Sequence, residues 1–311
     1  MSAFETLVRK TPLLRSARLS ELAGGEIWLK YECLQRTGSF KVRGACRRLD
    51  AMSDDERAGG VVASSAGNHG LGIALASRCL TIWAEIVTPV TTPKVKREAI
   101  AALGAEVSVW GAGYDEAEKM ARQRAERRGA TFVSPFDDEH VIRGNGVSLG
   151  EEVFAELPQL GQIVCPVGGG GLIGGLALAL ASRGVRIMGV QPAGNCAMRR
   201  SLDLGRALVE YHGEPTIAEG CEGGVGERTY ELARSHRVSV VVVDETAIRH
   251  ALAFAYRELA VTLEPTAAVG LAAVLQHAVR PLPGAATVVV LTGGNVEPEL
   301  LDQVLAEFPA S

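Results

Sequence analysis

The chain has 311 residues, a formal net charge of −4, 47% hydrophobic residues and 22% charged ones. That length suits two ordinary domains or one large α/β domain, and the composition excludes intrinsic disorder, collagen-like repeats and a disulfide-stapled mini-fold. The mild acidity argues against a nucleic-acid-binding surface.

From residue 26 onward, short β-rich runs alternate with helical patterns, which predicts parallel sheets with helices on both faces. The predicted strands are Ile27–Tyr31, Val61–Ser64, Ile82–Val87, Val107–Trp110, Ile163–Pro166, Ile187–Gln191, Val238–Val243 and Thr287–Leu291. Between them lie predicted helices over Ser39–Met52, Gly70–Cys79, Pro93–Leu103, Tyr114–Arg128, Val141–Leu157, Leu172–Arg183, Thr246–Val261, Thr266–His277 and Pro298–Phe308. Pro93 and Pro265 each suit the first helical position.

The six cysteines (Cys33, Cys46, Cys79, Cys165, Cys196, Cys221) form no C-x-x-C pair, so a reduced, cytoplasmic protein is expected. Glu5, Arg9 and Lys10 leave no apolar stretch for a secretory signal at the N-terminus. The uncharged run between Glu156 and Arg183 is long enough to span a bilayer, but Pro166 and Gly168–Gly171 inside it would break a lipid-exposed helix. Strand, loop and helix explain the same residues, and no membrane association is expected.

Four strand exits and helix starts carry the chemistry. Val167 is followed by Gly168, Gly169, Gly170 and Gly171, and an apolar helix is predicted to open there. Successive backbone amides at a helix N-terminus form an anion site, with a phosphate as the natural guest. Gly169, Gly171 and Gly174 also satisfy the dinucleotide fingerprint, but no Asp or Glu occurs between Glu156 and Asp203 to hold a ribose. Tight strand–helix packing alone would also account for the glycines.

Lys41 lies in the segment Arg36–Ala45, where Ser39 is predicted to cap a helix and to place Lys41 in its first turn. The positive end of the helix dipole favours the neutral amine that a nucleophilic lysine needs; a solvated surface lysine is the competing reading. Only six of the 32 basic residues are lysines, so candidates for amine chemistry are few. Ser64, Ser65, Ala66, Gly67, Asn68 and His69 form the next loop, which suits a substrate carboxylate or serves as a capping turn, with His69 structural. Thr292, in the run Val290–Asn295, would present a hydroxyl at the carboxyl end of a sheet, or mark a turn.

Taken in order, Thr11-Pro12-Leu13, Gly38 to Ala45, Ser65 to His69, Gly168 to Leu172, Glu264-Pro265-Thr266 and Thr292 to Asn295 resemble the fold-type II pyridoxal-phosphate enzymes, in particular the threonine/serine dehydratase and serine racemase branch. The resemblance runs from about residue 10 to residue 300. It implies an α/β architecture like that of the tryptophan synthase β chain: two doubly wound three-layer domains with the cofactor in the cleft between them. Residues 1–59 and 138–311 would form the larger, cofactor-binding domain and residues 60–137 the smaller.

The resemblance also implies pyridoxal 5'-phosphate held covalently by Lys41, its phosphate on Gly168, Gly169, Gly170 and Gly171, its ring hydroxyl on Asn68 and its pyridine nitrogen on Thr292. Ser64, Ser65, Ala66, Gly67 and His69 would face the substrate. The implied reaction is β-elimination from a small hydroxy amino acid such as L-threonine or L-serine, giving a 2-oxo acid and ammonia, with Lys41 as general base. Racemases of this branch have a serine in place of Ala66, so dehydration outranks racemisation of serine or hydroxyaspartate.

Where several relatives hold a divalent cation, this chain has Gln191 and Ala197, so no metal is expected, and magnesium should not raise activity. Arg143 is a candidate for an acidic substrate side chain or an ordinary surface residue. Relatives imply a homodimer or homotetramer. The reading from another class is a nucleotide-binding α/β protein without this cofactor; a colourless purified protein would favour it.

Overall fold

The computed structural model describes residues 2–309. Among the described residues there are ten strands: β1 (Leu13–Arg15), β2 (Ile27–Lys30), β3 (Val61–Ser64), β4 (Ala84–Thr88), β5 (Glu106–Val109), β6 (Thr131–Phe132), β7 (Leu160–Pro166), β8 (Arg186–Pro192), β9 (Ser239–Val243) and β10 (Ala286–Val290). They form a six-stranded sheet in the order β1-β2-β10-β7-β8-β9 and a four-stranded sheet in the order β5-β4-β3-β6. All pairings are parallel except β1 with β2, so the fold is α/β as expected. The strands β1 and β6, of three and two residues, are too short to leave a period in the sequence.

The chain divides into two compact units, one comprising residues through Arg9 with Gln35–Asn145, the other Lys10–Leu34 with the chain from Gly146 onward. The segment through Arg9 and the segments 35–59 and 138–145, which the sequence reading groups with the larger domain, cluster with the first unit. The reason is local packing: the Lys41–Asp50 helix lies against the Asn68–Leu80 helix, where Gly72 permits close approach, and Asn145 bonds into the same helix.

In the first unit, strand alternation puts Val61 and Ala63 into one apolar layer with Val42, Ala45, Ile73 and Ile86, and Val62 into the opposite layer with Ala117, Ala121 and Ala125. In the second unit, Val164, Val190 and Val289 of neighbouring strands pack against Ala267, Leu271 and Leu252.

The helix expected over Val141–Leu157 is interrupted. It runs as Glu139–Ile142, a π-helical turn at Arg143–Val147, and Ser148–Glu156. Gly144, Asn145 and Gly146 supply the irregular turn, and their lack of bulk lets backbone approach. A Cβ on Gly144 would lie 2.5 Å from the Arg43 carbonyl oxygen, and one on Gly146 2.4 Å from that of Leu172.

Candidate active site

In the first unit, Lys41 is the first residue of the Lys41–Asp50 helix, in the first turn as expected. Ser39 does not cap it. Phe40 occupies the N-cap position in an αR conformation, which gives no room for a side-chain cap, and the Ser39 hydroxyl is buried without a hydrogen-bond partner among the described residues. The Lys41 Nζ donates to the carbonyl oxygen of Pro135 at 2.9 Å and lies 5.3 Å from the centre of the Phe40 ring. Asn145 was not anticipated as part of this arrangement. Its Oδ1 accepts from Gly44 N at 2.8 Å and supports the helix that begins with Lys41. A Cβ on Gly44 would come within 2.6 Å of that oxygen.

β3 ends at Ser64, the loop after it holds Ser65, Ala66 and Gly67, and the Asn68–Leu80 helix begins directly after that. Ser64 and Ser65 are buried, and Ala66, Gly67 and Asn68 half-buried. Ser65 Oγ accepts from Gly67 N at 3.1 Å, so this serine stabilises the turn, while the buried Ser64 hydroxyl has no partner among the described residues.

His69 is buried with Nε2 3.1 Å from the Val133 carbonyl oxygen. A carbonyl only accepts, so Nε2 carries the proton and the neutral ring leaves Nδ1 as an acceptor. Burial pushes the imidazole down to about 3, the Lys41 charge pushes the same way, and the Val133 hydrogen bond opposes them.

The folded protein therefore excludes a proton that the unfolded chain binds below the ordinary histidine value of 6.5. This contribution is complete above pH 6.5 and is lost as the pH falls toward about 3. We expect His69→Gln to flatten the acid side of the stability curve by on the order of 1 kcal/mol per pH unit in that window. Urea unfolding of both proteins near pH 7 and pH 5 measures it; parallel losses would contradict the assignment.

In the second unit, β7 ends at Pro166 and leads through Val167 into Gly168–Gly171, where the Gly171–Leu180 helix starts with Gly170 as its cap. The first amides of a helix lack intrahelical acceptors, and the helix dipole makes that end positive. Two of the glycines are sterically required. A Cβ on Gly168 would lie 2.1 Å from the Gly220 carbonyl oxygen, and Gly170 has a left-handed φ of +93° with Thr229 Oγ1 2.7 Å from its virtual Cβ.

Thr292 comes just after β10, the parallel neighbour of β7, so Thr292 and the glycine run leave adjacent strands at the same carboxyl end of the sheet. The Thr292 hydroxyl is fully buried without a hydrogen-bond partner among the described residues. Gln191 is also fully buried. Its Nε2 donates to Val167 O at 3.0 Å and its Oε1 accepts from Arg199 N at 3.0 Å, so this amide braces the entry to the glycine loop. Ala197 starts the Ala197–Leu204 helix. Among the described residues, no group of three or more His, Cys, Asp or Glu side chains is placed to hold a metal ion. Arg143 is exposed and pairs with Glu139 at 3.1 Å, one helical turn away, which makes it a surface residue.

Each unit by itself carries groups of a kind that fits part of pyridoxal 5'-phosphate. The first unit offers an amine for the aldehyde; the second offers a glycine run for the phosphate, with no space for a side chain at Gly168 or Gly170, and an unpartnered buried hydroxyl suited to the pyridine nitrogen.

The family described as pyridoxal-phosphate dependent enzyme matches residues 4–293, and the chain belongs to it. The L-threonine ammonia-lyase of Thermotoga maritima is 41% identical over 304 residues, covering 97% of this chain and 75% of that protein. Among solved structures, the processed form of threonine deaminase isoform 2 from Solanum lycopersicum superposes with a TM-score of 0.92 at 33% identity, over 99% of this chain and 91% of that one. Serine racemase from Dictyostelium discoideum gives a TM-score of 0.88 at 32% identity, over 95% of each chain.

Proposed function

We propose that the protein is a threonine/serine ammonia-lyase, converting L-threonine or L-serine to the 2-oxo acid and ammonia. When bound, pyridoxal 5'-phosphate supplies an electron sink for the carbanion formed at the substrate Cα. In this reading Lys41 holds the cofactor, the amides of Gly168, Gly169, Gly170 and Gly171 take its phosphate, Asn68 its ring hydroxyl and Thr292 its ring nitrogen. A neutral hydroxyl such as that of Thr292 cannot compensate a pyridinium charge, so it leaves the nitrogen largely unprotonated and moderates the sink. Ser64, Ser65, Ala66, Gly67 and the neutral His69 line the substrate side, with loop amides at a helix N-terminus suited to the carboxylate.

As the free amine, Lys41 Nζ would accept the Cα proton, and the Pro135 carbonyl would keep that amine oriented. The proton so gained by Lys41 Nζ would pass to the departing β-hydroxyl as its C–O bond breaks, so that it leaves as water, and addition of one water would release ammonia and the 2-oxo acid. The observation that carries elimination over racemisation is Ala66, half-buried in the loop after Ser65, whose methyl group has no proton to give to a second face of Cα.

Racemisation of serine or hydroxyaspartate is the competing outcome, favoured by the similarity to serine racemase and by Ser65 one position away. Rates with L-threonine, L-serine, 3-hydroxyaspartate and phenylserine, with parallel detection of D-enantiomers, separate the two. We expect 2-oxo acid as the major product from threonine and serine. D-serine formed faster than pyruvate would contradict the proposal, and a rate on 3-hydroxyaspartate that fell in an Arg143→Ala variant would return Arg143 to the site.

All six cysteines are free, five of them buried, which supports a reducing cytoplasmic setting. None of the helices among the described residues is long and apolar enough to cross a membrane. A homodimer or homotetramer is the assembly we propose, to be tested by light scattering.

A further inference from the structure

A run of four glycines that can wrap an anion can also turn its amides away from one, because glycine peptides have little intrinsic preference for either orientation. Something outside the run must hold it. The Gly169 carbonyl oxygen accepts from Thr229 Oγ1 at 2.6 Å and from Gly226 N at 3.2 Å, both at the start of the Glu227–Ser235 helix. Thr229 is fully buried, and its hydroxyl also reaches Gly226 O at 3.0 Å, so its one hydrogen is shared with the shorter contact on Gly169. Among the described residues every peptide bond is trans, so a carbonyl fixed on one side puts the N–H of the next residue on the other. The Gly170 N–H is thereby turned away from the Glu227–Ser235 helix.

We propose that Thr229 is a positioning residue of the phosphate cradle, clamping the Gly169–Gly170 peptide so that the Gly170 amide faces the anion. The inference rests on the reading that the glycine run holds the cofactor phosphate. Nothing in the segment Val225–Tyr230 marks this threonine by type; its role follows from a contact 60 residues away in the chain.

The test compares binding of pyridoxal 5'-phosphate and of phosphate-free pyridoxal to cofactor-stripped protein by fluorescence titration, with thermal unfolding in parallel. Thr229→Val should weaken the phosphorylated ligand about tenfold and change pyridoxal by less than about twofold, while Thr229→Ser, which keeps the hydroxyl, should retain the wild-type ratio. Equal loss of both ligands, or loss of neither, would overturn the proposal. So would Thr229→Ser losing the preference for the phosphorylated ligand. If Thr229→Val does not fold, Thr229→Ala and Thr229→Ser carry the same comparison. Wild-type protein that binds neither ligand would instead overturn the cofactor reading itself.

Discussion

Lys41→Ala is expected to lower turnover by about 10⁴-fold or more, because one substitution removes both the cofactor's attachment and the base that takes the Cα proton. It should also abolish the visible absorption of the lysine-linked cofactor while leaving the fold intact, since the Lys41 side chain is only part-buried and its described hydrogen bond is to a neutral carbonyl. Three of the other five lysines are engaged elsewhere. Lys30 is fully buried and bonded to Glu152 Oε1 at 2.5 Å and Thr11 O at 2.6 Å, and the exposed Lys10 and Lys94 pair with Glu156 and Glu98. Absorbance and turnover of the purified variant measure the effect. Activity within about tenfold of wild type would remove Lys41 from the chemistry.

The second large effect is expected at Gly168. An added methyl group would sit 2.1 Å from the Gly220 carbonyl oxygen and 3.2 Å from its carbon, a backbone partner with no rotamer in which to retreat. Either the glycine loop or the Glu219–Cys221 turn must shift, at a cost of about 2 kcal/mol. Because that shift displaces the cradle itself, we expect Gly168→Ala to weaken pyridoxal 5'-phosphate binding roughly 30-fold. Gly113→Ala is the control: its Cβ would meet nothing within 4 Å among the described residues, and its φ of −140° suits alanine. Titration of the two cofactor-stripped variants measures the difference, and equal affinities would show that the close approach at Gly168 has no part in binding.

The motifs were legible because each combines residue types that serve a strand exit. A glycine run after an apolar β segment, a lysine beside a helix start and a hydroxyl after the last strand remain recognisable without a fold. Val61–Ser64 and Tyr114–Arg128 lie where the periodicity puts them, since each alternates or repeats cleanly against its apolar layers.

What stayed hidden depends on the backbone or on distant contacts. The Pro135 carbonyl that meets Lys41 belongs to no motif, Asn145 reaches Gly44 across 101 residues, and Thr229 reaches Gly169 across 60. The short helix Asp54–Gly59 was readable in principle. Ser53 and Glu56 form a capping box, a three-residue spacing visible in the sequence. Ser39 misled for the opposite reason: a good capping residue type stands one position too early, and the preceding turn continues into the helix through Phe40.

The central claim is that Lys41 carries the cofactor. Borohydride reduction of the cofactor-loaded enzyme, followed by tryptic peptide mapping, tests it directly, because cleavage after Arg36 and Arg43 isolates Thr37–Arg43 with Lys41 as its one lysine. We predict that the phosphopyridoxyl mass appears on that peptide. Its appearance on a peptide bearing another lysine, or on none, would contradict the account.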